Sequence, residues 1–524
     1  MGIRLPLLIA EDQKDFLENE PSRKNIALKG TQVTVDNIIY DVSGDTAIVY
    51  NGKSCSGAVT IPESITYNGK SYRTTTIGEG AFFSCIYLSS VTIPNSVTTI
   101  GKNAFAHCRG MASVSISNSV TTIDKGAFYF CSNLTSVTIP NSVTTIGESA
   151  FAACSGLTSV SIPNSVTNLE KSSFSSCSRL TSVSIGNSVT IIGEGAFAYC
   201  YGLLSVTIPN SVTTIAEGAF SHCSGLTSVS TGNSVTTIGG RAFEYCSGLT
   251  SAMISNSVTT IGESAFAYCS GLSSVTIPNS VTTIGEGAFS YCKGLTSATI
   301  PNSVATISSQ MFANCSGLTS VTIPNSVTTI GKGAFSYCSG LTSVMIPNSV
   351  TTIRSQAFDY CSGLTSVTIP NSVVTIGEGA FFDCNGLTSV TIGNSVATIG
   401  EYAFFRCSSL TSVYCKINTP LNISLQTFNN VPTSSATLYV PKGSKPAYSE
   451  AAYWKDFGTI IEKDFSPKGD VNEDEEVNVS DATAIINKIL GTASFADTVC
   501  DVDGNDEVNV SDVTTLINLI LTDE

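Results

Sequence analysis

The sequence predicts a repeat solenoid, with a parallel sheet along one side and short helical or 3₁₀ turns opposite, followed by a small α-helical module. Three observations carry that expectation. A 23-residue unit recurs from about Tyr72 to about Val413 without insertion or deletion. Its phenylalanine falls at Phe82, Phe105, Phe128 and on at the same interval to Phe404, fifteen times, with a cysteine three positions later from Cys85 to Cys407. Finally, the stretch from Pro467 to the end gathers Asp and Glu into two clusters, each followed by an apolar run. Periods of 20 to 50 residues are the mark of solenoids and arrays.

Within one unit the apolar positions recur at fixed places, here Leu157, Val160, Ile162, Val166, Leu169, Phe174 and Cys177. The opening L-x-x-V-x-I alternates, so a short strand points these side chains inward. The later I-x-x-x-A-F-x-x-C has helical spacing and predicts a short helical or 3₁₀ turn on the opposite wall. Pro163, Asn164 and Ser165 form a polar corner between them. A single unit buries too few side chains to offset the ordering of its own backbone, so only stacking stabilises it. At ~4.8 Å per strand, fifteen coils give an elongated stack on the order of 70 Å.

The L-x-x-V-x-I core matches the leucine-rich-repeat pattern, and the copy LTSVTIPNSVTTIGKGAFSYCSG at 318–340 resembles the BspA-like leucine-rich-repeat family. The resemblance covers about two-thirds of the chain. It implies bacterial cell-surface or secreted proteins that act by binding, in some cases to host extracellular proteins.

Charge narrows the function classes. Of a net charge of −15, the stretch from Pro467 onward carries fourteen Asp/Glu against two Lys, or −12. The array is therefore close to neutral, and without a basic stripe nucleic-acid binding is not expected. Eighteen cysteines without a C-x-x-C pair, beside two histidines (His107 and His222), argue against zinc. The fifteen repeat cysteines point in parallel and read as buried free thiols. There is no transmembrane run. The start MGIRLPLLIAEDQKDF has only the short run Leu5 to Ala10 before acidic residues begin, too short for a secretory apolar core. The expectation is an extracellular or cell-surface protein whose true N-terminus lies upstream.

Taken in order, residues 1–30 read as a polar leader and 31–76 as an N-terminal cap of strands, with Asn68-Gly69 turning a hairpin. The fifteen repeats occupy 77–413. A C-terminal cap follows at 414–465, where Phe428 lies one position beyond the regular interval from Phe404 and Trp454 sits between Tyr453 and Phe457. Such an aromatic group also suits a sugar platform. The module at 466–524 ends the chain.

That module carries the sharpest chemistry. DVNEDEEVNVSD runs from Asp470 to Asp481 and DVDGNDEVNVSD from Asp501 to Asp512. Oxygen side chains fall at loop positions 1, 3, 5, 9 and 12: Asp470, Asn472, Asp474, Asn478 and Asp481, then Asp501, Asp503, Asn505, Asn509 and Asp512. Glu476 and Glu507, at position 7, would offer backbone carbonyls. This density of hard oxygen donors fits two calcium ions, whereas magnesium wants fewer protein ligands. Helices are expected at Ala482–Leu490 and Val513–Leu521.

Two loop–helix halves, one opening at Asp470 and its echo at Asp501, each with Asp at position 12, look like a type I dockerin. That resemblance implies a cohesin module as partner, read by Val479-Ser480 and Val510-Ser511 at positions 10 and 11. Position 6, usually Gly, is Glu475 and Asp506. A positive φ suits Asp better than Glu, so the first loop is expected to bind calcium more weakly.

On the array, tyrosines at Tyr199, Tyr245, Tyr268, Tyr291, Tyr337 and Tyr360 precede the repeat cysteine and face outward, either as a ligand row for protein or glycan or as plain cover of the turn face. A second outward row is mostly Glu with Lys at 102, 125, 171 and 332, and reads as a solvated edge. The Thr/Ser row of the strand face is a third candidate. No nucleophile motif and no triad partner for either histidine stands out, so no enzyme is expected. The leading function is a secreted binding protein that plugs into a cohesin-bearing assembly; the alternative is a structural spacer.

Overall fold

The structure, a computed structural model, describes residues 30–52, 55–465, 469–472 and 477–522. The leader expected at 1–30 lies outside these residues as far as residue 29. The chain packs as two compact units: one runs to Thr411 and includes Ile423–Pro432, and the other comprises Ser412–Asn422 and the chain from Thr433.

The first unit is a parallel-sheet solenoid. Strands β1 (Thr31–Val35), β2 (Ile38–Ser43) and β3 (Thr46–Gly52) form an antiparallel sheet. After β4 (Gly57–Thr60), strands β5 (Ser64–Tyr67) and β6 (Lys70–Ile77) make the hairpin turned by Asn68 and Gly69, both at positive φ. Here the chain changes from antiparallel to parallel pairing, because β3 pairs with β6 and β6 with the Thr99–Ile100 strand of the next coil.

Coils contribute two short strands, except that the segment at 343–345 forms none. One is Ser-Val-Ser/Thr, as at Ser159–Ser161, with valine inward and its neighbours exposed. The other is Thr-Ile, as at Thr214–Ile215, with isoleucine inward. Both ladders run parallel with every partner one repeat period away, such as Val160↔Val183 and Ile192↔Ile215. A residue's periodic neighbour is thus its spatial neighbour, which is why identical units suffice.

The third wall is built from turns, and its amides explain its geometry. In one coil Ser173, Ser175 and Cys177 donate to the carbonyl three positions back, the 3₁₀ pattern. Ser172, Phe174 and Ser176 instead donate to the next coil, at Glu194, Ala196 and Ala198. Alternation of this kind rotates the backbone, so Ser172 and Ser176 sit at φ 53° and 59°. No continuous helix can form through such positions. Glycine often takes the first of them, as at Gly195 and Gly218.

The core is a ladder of rings. Phe82 to Phe404 are fully buried and stack on one another, and Phe428 continues the ladder at 5.4 Å from Phe404 despite the extra residue. Each repeat thiol from Cys108 on lies beside this ladder and donates to a phenylalanine carbonyl of the preceding coil, as Cys177 does to Phe151 at 3.3 Å. The cysteines are free, and burial pushes the Cys246 and Cys315 thiols up to about 12.

In the second unit, strands Ser412–Cys415, Thr437–Pro441 and Thr459–Lys463 pair in parallel, with helix α1 (Lys445–Glu450) between the last two. Trp454 is fully buried and donates to the Leu421 carbonyl at 2.9 Å, so its ring is core and not a sugar platform. The terminal module has helices α2 (Val479–Ile489), α3 (Asp497–Cys500) and α4 (Val510–Thr522). Its buried centre is made of equivalent residues from the two halves, Val471 with Val502, Ala482 with Val513 and Ile485 with Leu516, an internal two-fold repeat. Cys500 fills the same core.

Candidate metal centre and ligand surface

The two long helices start three positions earlier than the sequence suggested, at Val479 and Val510. Asn478 caps α2 by accepting from the Ser480 amide at 2.7 Å, and Asn509 accepts from the Ser511 amide at 2.8 Å. An asparagine ahead of an apolar run is a helix-start signal, so these caps were readable in advance. Loop positions 10 to 12 therefore form the first helical turn. Val479 and Val510 stand 70% and 68% exposed there, with Ser480 and Ser511 exposed beside them.

Position 12 points the other way. Asp512 is fully buried; its Oδ1 accepts from the amides of Val502 at 2.7 Å and Asp503 at 3.2 Å, and its Oδ2 from Asn509 at 2.8 Å. Asp481 repeats the pattern with Val471 at 2.7 Å, Asn472 at 3.1 Å and Asn478 at 2.9 Å. Burial pushes the Asp512 carboxyl up, but the amides of Asn509, Asp503 and Val502 outweigh it and hold the group below the ordinary carboxylate range.

The second loop brings three of its expected ligands together. Oxygens of Asp501, Asp503 and Asp512 lie within 4.8 Å of one another. Asp501 also accepts from the amides of Gly504, Asn505 and Asp506, which wraps the loop around it. Asn505 leans on Asp503 through Nδ2 at 2.9 Å and is exposed, as is Glu507. Ser511 donates to Asp503 Oδ2 at 2.5 Å, a contact the loop pattern did not announce. Asp506 has φ 66°, the left-handed conformation expected at position 6.

In the first loop Asp470 is buried, and Asn472 donates through Nδ2 to Ser480 Oγ at 2.9 Å. Asp474, Glu475 and Glu476 lie outside the described residues. Lys488 on α2 pairs with Asp497 at 2.5 Å, not with the carboxylate cluster. Converging anionic oxygens of this kind fit a hard cation such as calcium.

On the array, the tyrosine row lies on the turn wall at left-handed positions, φ 55° to 61°. The rings are half-buried, with Tyr337 more exposed, and they cover one another. Tyr199, His222, Tyr245, Tyr268 and Tyr291 stack continuously at 4.3–4.5 Å, and Tyr337 stacks on Tyr360 at 4.2 Å. Within these stacks the row offers edges and hydroxyls more than ring faces. His222 also meets Ser221, Oγ to Nδ1 at 2.8 Å, a contact between sequence neighbours.

The charged row is an ion-pair ladder between coils: Lys102–Glu79, Lys125–Glu148, Lys171–Glu194, and Arg241 with Glu217 and Glu263. These half-exposed pairs contribute under about 1 kcal/mol each. Among the described residues no helix is long and apolar enough to cross a membrane.

A family model described as BspA type leucine rich repeat region (6 copies) matches residues 75–204, 192–319 and 305–435, and one described as dockerin type I domain matches 468–521. Both are binding modules, not catalysts, and type I dockerins bind calcium. Among solved structures, a leucine-rich repeat protein from Bacteroides ovatus is 26% identical over 82% of this chain and all of its own, with a TM-score of 0.62. A leucine rich cell surface protein from Faecalibacterium prausnitzii is 27% identical over 74% of this chain and 94% of its own, with a TM-score of 0.42. No curated protein matches the chain.

Proposed function

We propose that this chain, which belongs to the BspA type leucine-rich-repeat family and ends in a type I dockerin, is a non-catalytic extracellular binding protein. Its solenoid holds a protein or glycan, and its calcium-loaded dockerin attaches it to a cohesin module on a scaffold or cell-surface complex. The carrying observation is the pair of acidic loops that lead directly into capped helices, with Val479-Ser480 and Val510-Ser511 exposed on the first turns. Both families are typical of extracellular or cell-surface proteins, which supports the location. In this reading the repeats span 77–413 between caps at 31–76 and 414–465, and the dockerin spans 466–524.

Two calcium ions are proposed, one per loop. Asp470, Asn472, Asp474, Asn478 and Asp481 hold the first with the Glu476 carbonyl; Asp501, Asp503, Asn505, Asn509 and Asp512 hold the second with the Glu507 carbonyl. Bound calcium supplies positive charge to a segment of net charge −12. The chain's own contribution is to fix the position-12 carboxylate with three amides and to present the Val-Ser pairs on a near two-fold surface. That symmetry suits docking in either of two orientations.

The test uses the full chain against an immobilised type I cohesin. Binding is expected in calcium and lost in chelator; undiminished binding in chelator refutes the dockerin reading. With Asp470→Ala and Asp501→Ala variants, the protein keeping only the first loop is expected to bind calcium more weakly, and equal affinities remove that asymmetry.

For the array, the row Tyr199, Tyr245, Tyr268, Tyr291, Tyr337 and Tyr360 is a candidate ligand edge acting through hydroxyls. The mutual stacking of these rings also favours a second reading, in which the array is a spacer. A binder loses its target when this row or the Thr face is mutated, whereas a spacer tolerates both.

A further inference from the structure

Between aromatic neighbours the outward row lacks one rung at Asn314, between Tyr291 and Tyr337, and two successive rungs further toward the N-terminus. From coil to coil it reads His107, Phe130, Ala153, Ser176, Tyr199, His222. His107 and Phe130 stack at 5.3 Å, and Tyr199 and His222 stack at 4.5 Å. The gap between the two ring stacks opens into a cleft of about 440 Å³ that begins at Phe130 and runs past Tyr199 to His222, Arg241 and Glu244. That volume falls within the ~300–1,000 Å³ range of small-ligand sites.

We propose that this cleft binds a neutral oligosaccharide, whose linked sugar rings lie end to end in the space left by the two missing rungs. The inference rests on the reading of the array as a binder and names where and what it binds. Three coil steps at ~4.8 Å put Phe130 and Tyr199 about 14 Å apart. Neighbouring rings in the row stack at 4.2–4.3 Å, so the gap is several ring thicknesses long and admits a short oligosaccharide lying along it.

The lining matches a sugar on both its surfaces. Phe130 and Tyr199, on either side of the gap, suit the apolar C–H groups of pyranose rings. The floor between them carries the hydroxyls of Ser175 and Ser176, donors and acceptors without charge. Rim charges are engaged within the protein, Lys171 with Glu194 at 2.9 Å and Arg241 with Glu217 at 3.4 Å and Glu244 at 4.0 Å, and burial pushes the Glu244 carboxyl up. They offer hydrogen bonds to sugar hydroxyls, and three carboxyls against two cations disfavour an anionic ligand. Tyr201, 44% exposed and edge-on to Tyr199 at 6.2 Å, adds an aromatic lip.

The repeat supplies its own test. Ala153 and Ser176 have φ 57° and 59°, the conformation that six tyrosines of the row adopt. Ala153→Tyr with Ser176→Tyr therefore completes the ladder without moving the backbone. Wild type and this double variant of the full chain, with folding checked by circular dichroism, are titrated with cellobiose, xylobiose, maltose, lactose and diacetylchitobiose, and both are assayed for capture of fibronectin and fibrinogen. The expected result is binding of at least one disaccharide with a tenfold or greater loss in the filled variant. Tyr201→Ala is expected to weaken the same sugar and serves if the filled variant fails to fold.

Equal sugar binding by the filled variant overturns the cleft while leaving the array a binder. Capture of fibronectin or fibrinogen that filling abolishes, with no sugar bound, overturns the ligand class. No binding of any probe overturns the inference and counts against the binder reading.

Discussion

Replacing Asp512 by alanine separates the two tasks of that carboxylate, propping its loop and holding a cation. The carboxylate accepts three amides, two on Oδ1 and one on Oδ2. Val502 is 1% exposed, so its amide has no water to turn to, whereas Asp503 and Asn509 are half-buried. A buried amide left unsatisfied costs about 1–3 kcal/mol, and partly exposed ones cost less. Counting Val502 in full and the others in part, Asp512→Ala costs about 2–4 kcal/mol of local stability with no calcium present. Asp512→Asn keeps an oxygen for Val502 and Asp503 and loses only the Asn509 bond, for about 1 kcal/mol.

The assay is hydrogen exchange by mass spectrometry on the full chain in chelator, following peptides from Val510–Thr522. Local opening free energy is what such exchange reports. The alanine variant should exchange roughly 30- to 900-fold faster there, and the asparagine variant roughly fivefold faster. Unchanged protection in the alanine variant refutes the propping role. Equal effects of the two substitutions refute the assignment of the individual bonds.

Other consequences follow from the array. Phe220 is fully buried between Phe197 and Phe243, each ring at 5.4 Å. Phe220→Ala should cost about 3–5 kcal/mol in urea unfolding, and Phe82→Ala, with a single stacked ring in Phe105, should cost less; equal losses count against the stacking contribution. Burial pushes the Asp359 carboxyl from 3.8 up to about 6, against the opposing Ser336 hydrogen bond. The neutral acid is thus favoured in the fold, with a stabilising difference complete below about pH 3.8 and lost as pH rises through about 6. Asp359→Asn should therefore gain melting temperature relative to the wild type between pH 4 and pH 7, and parallel pH profiles would refute the burial argument. Cys246 and Cys315, pushed up to about 12 by burial, should resist a thiol reagent at pH 8 in the native protein and react once guanidinium unfolds it; rapid native labelling would show that the thiol ladder is open.

Much of this was legible because a strict period turns sequence position into spatial position. Phe174 and Cys177 recur once in every unit, so their inward direction in one coil holds for all. The acidic loops were legible for a different reason: a hard cation needs many short oxygen side chains close together, and few other demands produce Asp470–Asp481 and its echo at Asp501–Asp512. The helix starts at Val479 and Val510 were placed too late, at Ala482 and Val513, although Asn478 and Asn509 carried the capping signal.

What stayed hidden depends on where the backbone amides go. Whether Phe174 donates within its coil or to Ala196 of the next is decided by stacking, and that choice sets φ at Ser172 and Ser176. The Thr-Ile strands form a second ladder only because adjacent coils are there to pair with them. The tyrosine row likewise looked outward in sequence, but coil spacing close to a ring thickness makes each tyrosine cover the next. A cleft appears where Ala153 and Ser176 leave two rungs empty. By itself, then, the sequence determined the stack, its inward ladder and the chemistry of the terminal loops, since these follow from spacing and side-chain type. Only the tertiary structure decided which outward groups remain open to a ligand, because openness depends on neighbours that lie far away along the chain.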